Sequence, residues 1–197
     1  VIAKNITLNG NDHTITAKAD QKPENDSATK QHVILVSGGA DVVVNDLTVD
    51  GAGYAKHGIQ AYTGSGTQTK LTLNNVTSQN NVGYGVVVNA SEVKATNLNT
   101  NGNGWGGVNV DAKAATASFY MNGGNITEEW SVILDSAESG KNTLSITAGE
   151  FAGYVGANPE SEKAEGNDII TVDGGTFSDA VAFIGNVPYY SLEAAVG

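Results

Sequence analysis

A chain of 197 residues has the size of one domain and is long enough to enclose a sizeable core. Ten Lys, no Arg and twenty-one Asp plus Glu give a formal charge of −11, which repels phosphate backbones and anionic lipid surfaces, so neither nucleic acid nor a membrane surface is expected as a partner. With no Cys there is neither a disulfide framework nor a thiolate metal site, and no apolar run approaches the ~20 residues of a membrane span.

In chain order, VIAKNITLNG (1–10) already reads as structure, which implies a mature piece of something longer. The polar, Pro-containing stretch ADQKPENDSATKQ (19–31) is an excursion from the opening turn. There follow short runs that alternate apolar and polar residues, the signature of strands with one buried face: LTLNNVT (71–77), VKATNLN (93–99), SFYMNGGNI (118–126), LSITAGEF (144–151) and IITVDGGTF (169–177). Between them lies a second set, GIQAY (58–62), GVVVN (85–89), GVNVD (107–111) and SVILDS (131–136). GYVGANPESEKAEGND (153–168) is an acidic excursion, and helical patterning enters only in SLEAAVG (191–197).

One phrase returns with altered spelling: NDLTVDG, NNVTSQN, TNLNTNG, GNITEE, GEFAG and GTFSD. Its apolar member falls at Leu47, Val76, Leu98, Ile126, Phe151 and Phe177, at intervals of 29, 22, 28, 25 and 26 residues. Persistent strand phrases with variable loops imply an all-β parallel solenoid of about six coils with little helix. Residues 1–180 form the solenoid, and 181–197 are a C-terminal cap or a linker into a following unit. Just before the apolar residue stand Asp46, Asn75, Asn97, Asn125, Glu150 and Thr176, so Asn75, Asn97 and Asn125 are expected to stack as an amide ladder at one corner. The competing reading gives those Asn only a turn-forming role.

With these phrases the chain resembles the right-handed parallel β-helix, or pectin-lyase-like, superfamily, and NITLNGNDHTITA (5–17) is similar to its opening coil. AFIGNVPYYSLEAAVG (182–197) resembles the linker and capping helix between tandem units of gut bacterial surface proteins. Pectate lyases and pectin methylesterases of that superfamily rely on an arginine, which this chain lacks. Polygalacturonases rely on Asp-Asp, Gly-His-Gly and Arg-Ile-Lys phrases; the nearest match is Lys56-His57-Gly58 with Asp46 and Asp50 a turn away, and the other phrases are missing. No catalytic residue is assigned. The resemblance implies a secreted or cell-surface bacterial segment, an adhesin or stalk, with a host or dietary glycan or a surface protein as partner.

Two constellations remain. Asp111 and Asp135 end equivalent strands 24 residues apart; such a pair could bind Ca²⁺, share a proton in a carbohydrate-active enzyme, or form a solvated acidic edge, and the last is the simplest reading. Glu128 and Glu129 read as a solvated corner, and no metal or other cofactor is expected. Ahead of the second strand set stand His57, Tyr84, Trp105, Trp130 and Tyr154, at intervals of 27, 21, 25 and 24 that follow the coil period. These rings either stack only on one another or form a strip for neutral glycan, with Trp105, in NGNGWGG (101–107), as the foremost contact and Asp111 and Asp135 as polar partners. A pure spacer is the remaining alternative.

Overall fold

The computed structural model describes residues 1–19, 32–112, 115–135, 140–160 and 168–196. Residues 20–31 of the first polar excursion and 161–167 of the second lie outside the described residues, and the second, expected over 153–168, in fact begins as a strand at Tyr154–Ala157.

The chain is a parallel β-solenoid. One sheet holds the long strands β1 (Ile6–Thr16), β3 (Asp41–Asp50), β5 (Lys70–Gln79), β7 (Glu92–Asn101), β9 (Thr116–Ile126) and β11 (Lys141–Phe151), then β13 (Ile169–Val172) and β14 (Thr176–Phe177), both paired with β11. The other holds the short strands β2 (His32–Val36), β4 (His57–Tyr62), β6 (Tyr84–Asn89), β8 (Gly106–Asp111), β10 (Trp130–Asp135) and β12 (Tyr154–Ala157). Each strand pairs in parallel with its counterpart one coil away. The number of turns is about five rather than about six, because β1 precedes the first short strand and β13 and β14 close only part of a coil.

The strands β3, β5 and β7 bend where one residue in each is left-handed. In β3 the core residues are Val42 and Val44, then Leu47 and Val49. The interval of three in the middle falls at Asp46, whose φ is +50°. Asn75 (φ +53°) and Asn97 (φ +54°) repeat this geometry, which short polar side chains tolerate better than other non-Gly residues. They also stack: Asn75 Nδ2 donates to Asp46 Oδ1 (2.9 Å) and Asn97 Nδ2 to Asn75 Oδ1 (3.0 Å), in an exposed setting. A second file runs beside it, Asn74 donating to Asn45 and Asn45 to Asn9.

Asn125 does not continue the ladder. Leu98 pairs with Gly124 and Thr100 with Ile126, so the phrase slips by two residues between β7 and β9. Gly123 (φ +88°) and Gly124 (φ +105°) make the corner there, and a Cβ on Gly124 would stand 1.9 Å from Leu98 O. The apolar residues of the repeated phrase therefore form two columns rather than one. Leu47, Val76 and Leu98 stack in the first, whereas Ile126, Phe151 and Phe177 continue the column of Ser78 and Thr100. The Phe151 and Phe177 rings, stacked at 4.9 Å, supply bulk where the Leu column stops.

Glu128 corrects the expectation of a solvated corner, for it is buried at 8 % exposure. It accepts hydrogen bonds from Thr100 Oγ1 (2.6 Å) and Asn103 Nδ2 (2.7 Å); Asn103 Oδ1 in turn accepts from Asn81 Nδ2 (2.6 Å), and Ser78 Oγ from the same amide (3.3 Å). A buried polar file thus lines the turns that lead from β5, β7 and β9 into the next short strand.

At the far end β15 (Ala182–Ile184) and β16 (Val187–Tyr189) form an antiparallel hairpin, followed by α1 (Leu192–Val196). Phe183 meets Phe177 edge-on, and the Tyr190 hydroxyl accepts the Val155 N–H of β12 (3.0 Å). Among the described residues no helix is long and apolar enough to cross a membrane.

Candidate binding groove

A strand with one buried face alternates, but the short strands do not: Val86, Val87 and Val88 are all buried, as are Val132, Ile133 and Leu134. Val86, Val88, Val132 and Leu134 belong to the core, whereas Val87 and Ile133 point the other way. They are covered on the outside by side chains that rise on both flanks. Leu35, Gln60, Val87, Asn109 and Ile133 make a floor along the solenoid axis, with rings on one side and amides and carboxylates on the other. The main part of this groove has a volume of about 440 Å³.

The ring wall differs from five rings in unbroken register. His57, Tyr84, Trp130 and Tyr154 share one register position, but in β8 that position is Gly106, not Trp105. A Cβ on Gly106 would stand 2.5 Å from Trp130 O and 3.1 Å from Tyr84 Cε1, and its φ is +148°, so the coil admits no side chain there. The ring comes from the residue before. His32 also joins the column, stacked on His57 at 5.4 Å. Tyr190 closes it against Tyr154 at 4.7 Å.

Ring orientation decides what the wall can offer. His32, His57 and Tyr84 stack in turn, each ring within 20° of parallel to the next, so both faces of His57 are occupied, one face of Tyr84 is left outside the stack, and the groove sees the edges. Trp105 stands at 72° to His57 and 82° to Tyr84, across those edges, and is 48 % exposed. It lines the groove, with Lys56 Nζ over the ring, 5.1 Å from its centre. His57 is buried, and its Nδ1 accepts the Tyr84 N–H (3.0 Å). Burial, then the charges of His32 and Lys56, lower its pKa to about 3; burial and Lys56 lower that of His32 to about 4. Both are neutral near pH 7.

On the opposite wall Asp111 and Asp135 are register partners. They are not a bare acidic edge. Asn89 donates to Asp111 (2.8 Å), and Asn109 (2.9 Å) and Asn158 (2.7 Å) donate to Asp135, while Gln60 donates to Asn89. Each carboxylate is oriented by amides, which leaves acceptors directed along the groove. Among the described residues no three His, Cys, Asp or Glu are placed to hold a metal ion. The His57, Asp46 and Asp50 grouping is not assembled: Asp46 is bonded to Asn75 at the bent corner of the long-strand sheet, and Asp50 to Gln79 and Asn80.

The sequence reading found both walls but missed His32 and the floor. His-x-Ile recurs in HVILV and HGIQAY, and GVVVN lacks the alternation of a one-sided strand; both signals were present. Comparison with known protein families, with curated proteins and with solved structures finds no match.

Proposed function

We propose that this chain is a non-catalytic β-helical segment of a bacterial cell-surface protein, an adhesin or stalk of pectin-lyase-like type, whose groove holds an extended neutral glycan. The observation that carries the reading is the half-exposed Trp105 face above a groove whose far wall is built of oriented Asn and Asp. An indole face takes up the C–H side of a pyranose, and carboxylates and amides accept and donate to its hydroxyls. A chain of charge −11 without Arg disfavours a polyanionic saccharide, so neutral polymers are the better match. A groove parallel to the axis suits a linear chain better than a single sugar.

Calorimetric titration with a panel of neutral oligosaccharides tests this. Binding by the parent chain and a loss of at least about tenfold in Trp105→Ala are expected, with the melting temperature unchanged because the ring is half exposed. Absence of binding across the panel would leave the spacer reading. Turnover of any polysaccharide that Asp135→Asn abolishes would replace it with a carbohydrate-active enzyme.

A further inference from the structure

Beyond Trp105 the groove opens into a second recess of about 300 Å³, which the glycan reading does not use. It is lined by Tyr84, Trp105 and Trp130, with Ile133, Asn158 and Glu160 completing it. Its origin is the interruption of the ring column. His57 covers one face of Tyr84, and the other face is turned toward β8, where Gly106 supplies no ring. Trp105, set nearly at right angles to Tyr84, closes a second side, and Trp130, one coil further on, the third. Three aromatic side chains therefore line the recess, on a coil whose register position is held by a glycine.

The lining of this recess carries charge of one sign. Its lining carries the Glu160 carboxylate and, among the described residues, no Lys; Lys56 sits on the groove side of Trp105. Asp135, held by Asn158, stands behind. Their field is felt at Tyr84: burial raises its pKa, the Asp135 charge adds to this, a hydrogen bond with Asn109 opposes it, and Glu160 contributes further. Asn158 Oδ1 accepts the Glu160 N–H (3.0 Å) and so fixes the start of the turn that carries the carboxylate. The whole chain, at −11, draws in cations rather than anions.

Aromatic faces with a carboxylate at the rim and an apolar floor attract a positive charge spread over methyl groups, which sheds water at little expense and is drawn to the ring quadrupole. A compact primary ammonium holds its water more tightly and has too few acceptors here to replace it. We infer that the Tyr84–Trp105–Trp130 recess is a binding site for a quaternary or methylated ammonium group, such as a choline-type headgroup or a methylated amine. The site adjoins the groove and shares Tyr84 and Trp105 with it, and its recognition of an ammonium group does not require a glycan.

The test follows the indole N–H signals of Trp105 and Trp130 by two-dimensional NMR on the intact chain, titrated at constant ionic strength. The probes are choline chloride and 3,3-dimethyl-1-butanol, which has the same shape without the charge. Choline is expected to shift both signals with a Kd on the order of 1 mM. The neutral alcohol should do so at least about tenfold more weakly. Glu160→Gln, at a surface turn, should weaken choline roughly fivefold with an unchanged melting temperature, and should leave any oligosaccharide titration in the groove unaltered. Equal binding of the alcohol and choline, equal shifts with sodium alone, or no shift at tens of millimolar choline would each overturn the proposal. Loss of glycan binding with choline binding intact would instead remove only the groove reading.

Discussion

Two of the stacked amide files in this solenoid differ in their surroundings. At the bend of the long strands Asp46, Asn75 and Asn97 form an exposed file, while Asn81, Asn103 and Glu128 form a buried one at the turn into the short strands. The residue type is nearly the same, yet the physics differs. In the exposed file water can replace each lost bond, and the side chains earn their place chiefly by accepting a left-handed backbone. In the buried file each group depends on its neighbour for satisfaction. The lesson is that a repeated Asn carries little meaning until its surroundings are known.

The comparison can be broken most directly at Asn103. Removing its amide in Asn103→Ala strips a donor from Glu128 and an acceptor from Asn81, both buried, and urea unfolding should show a loss of about 3 kcal/mol. A loss below about 1 kcal/mol would mean that water enters the turn and that the two files are equivalent. Acid sharpens the contrast from another side. His32 and His57 have folded pKa values near 4 and 3, below the ordinary 6.5, so the unfolded chain takes up protons that the folded one refuses. Their contribution is fully present above about pH 6.5 and falls by about 1.4 kcal/mol per pH unit for each imidazole on descending toward pH 4. His57→Gln should roughly halve the slope of stability against pH between 6 and 5; an unchanged slope would show the imidazoles to be hydrated. The smallest effects belong to the exposed file. Asn75→Ala should lose about 1–2 kcal/mol through its left-handed φ, and Asn75→Gly only a few tenths, because glycine keeps the backbone and gives up the ladder. If glycine proved as costly as alanine, the hydrogen bonds rather than the dihedral would be the source.

The solenoid was legible because its signal is one-dimensional: apolar residues recur once per coil, and Leu47, Val76, Leu98, Ile126, Phe151 and Phe177 are all buried. What failed was alignment between coils. Counting back from Ile126 places Asn125 under Asn97, but Gly123 and Gly124 insert two residues into the corner, and only the backbone pairing shows it. Trp105 erred by one residue for a related reason, since tightness at Gly106 moves the ring to its neighbour. Glu128 looked exposed because a charged pair beside Trp130 resembles an ordinary surface turn; its burial depends on Thr100 and Asn103, one coil earlier. Ring orientation, which separates the Trp105 face from the edges of His57 and Tyr84, has no trace in residue order.

The two-glycine slip also bears on how such a chain could lengthen. From Asn75 to Asn97, from Asn81 to Asn103 and from Asn89 to Asp111 the offset is a constant 22 residues, each pair joined by a hydrogen bond. A stretch of that length taken from this region starts and finishes in the same cross-section, so a tandem copy could be spliced in while every stacked partner kept its mate. A stretch spanning Leu98 to Ile126 would not close on itself, since it enters through one column and leaves through another. Genetic duplication would therefore be tolerated before the slip and rejected across it.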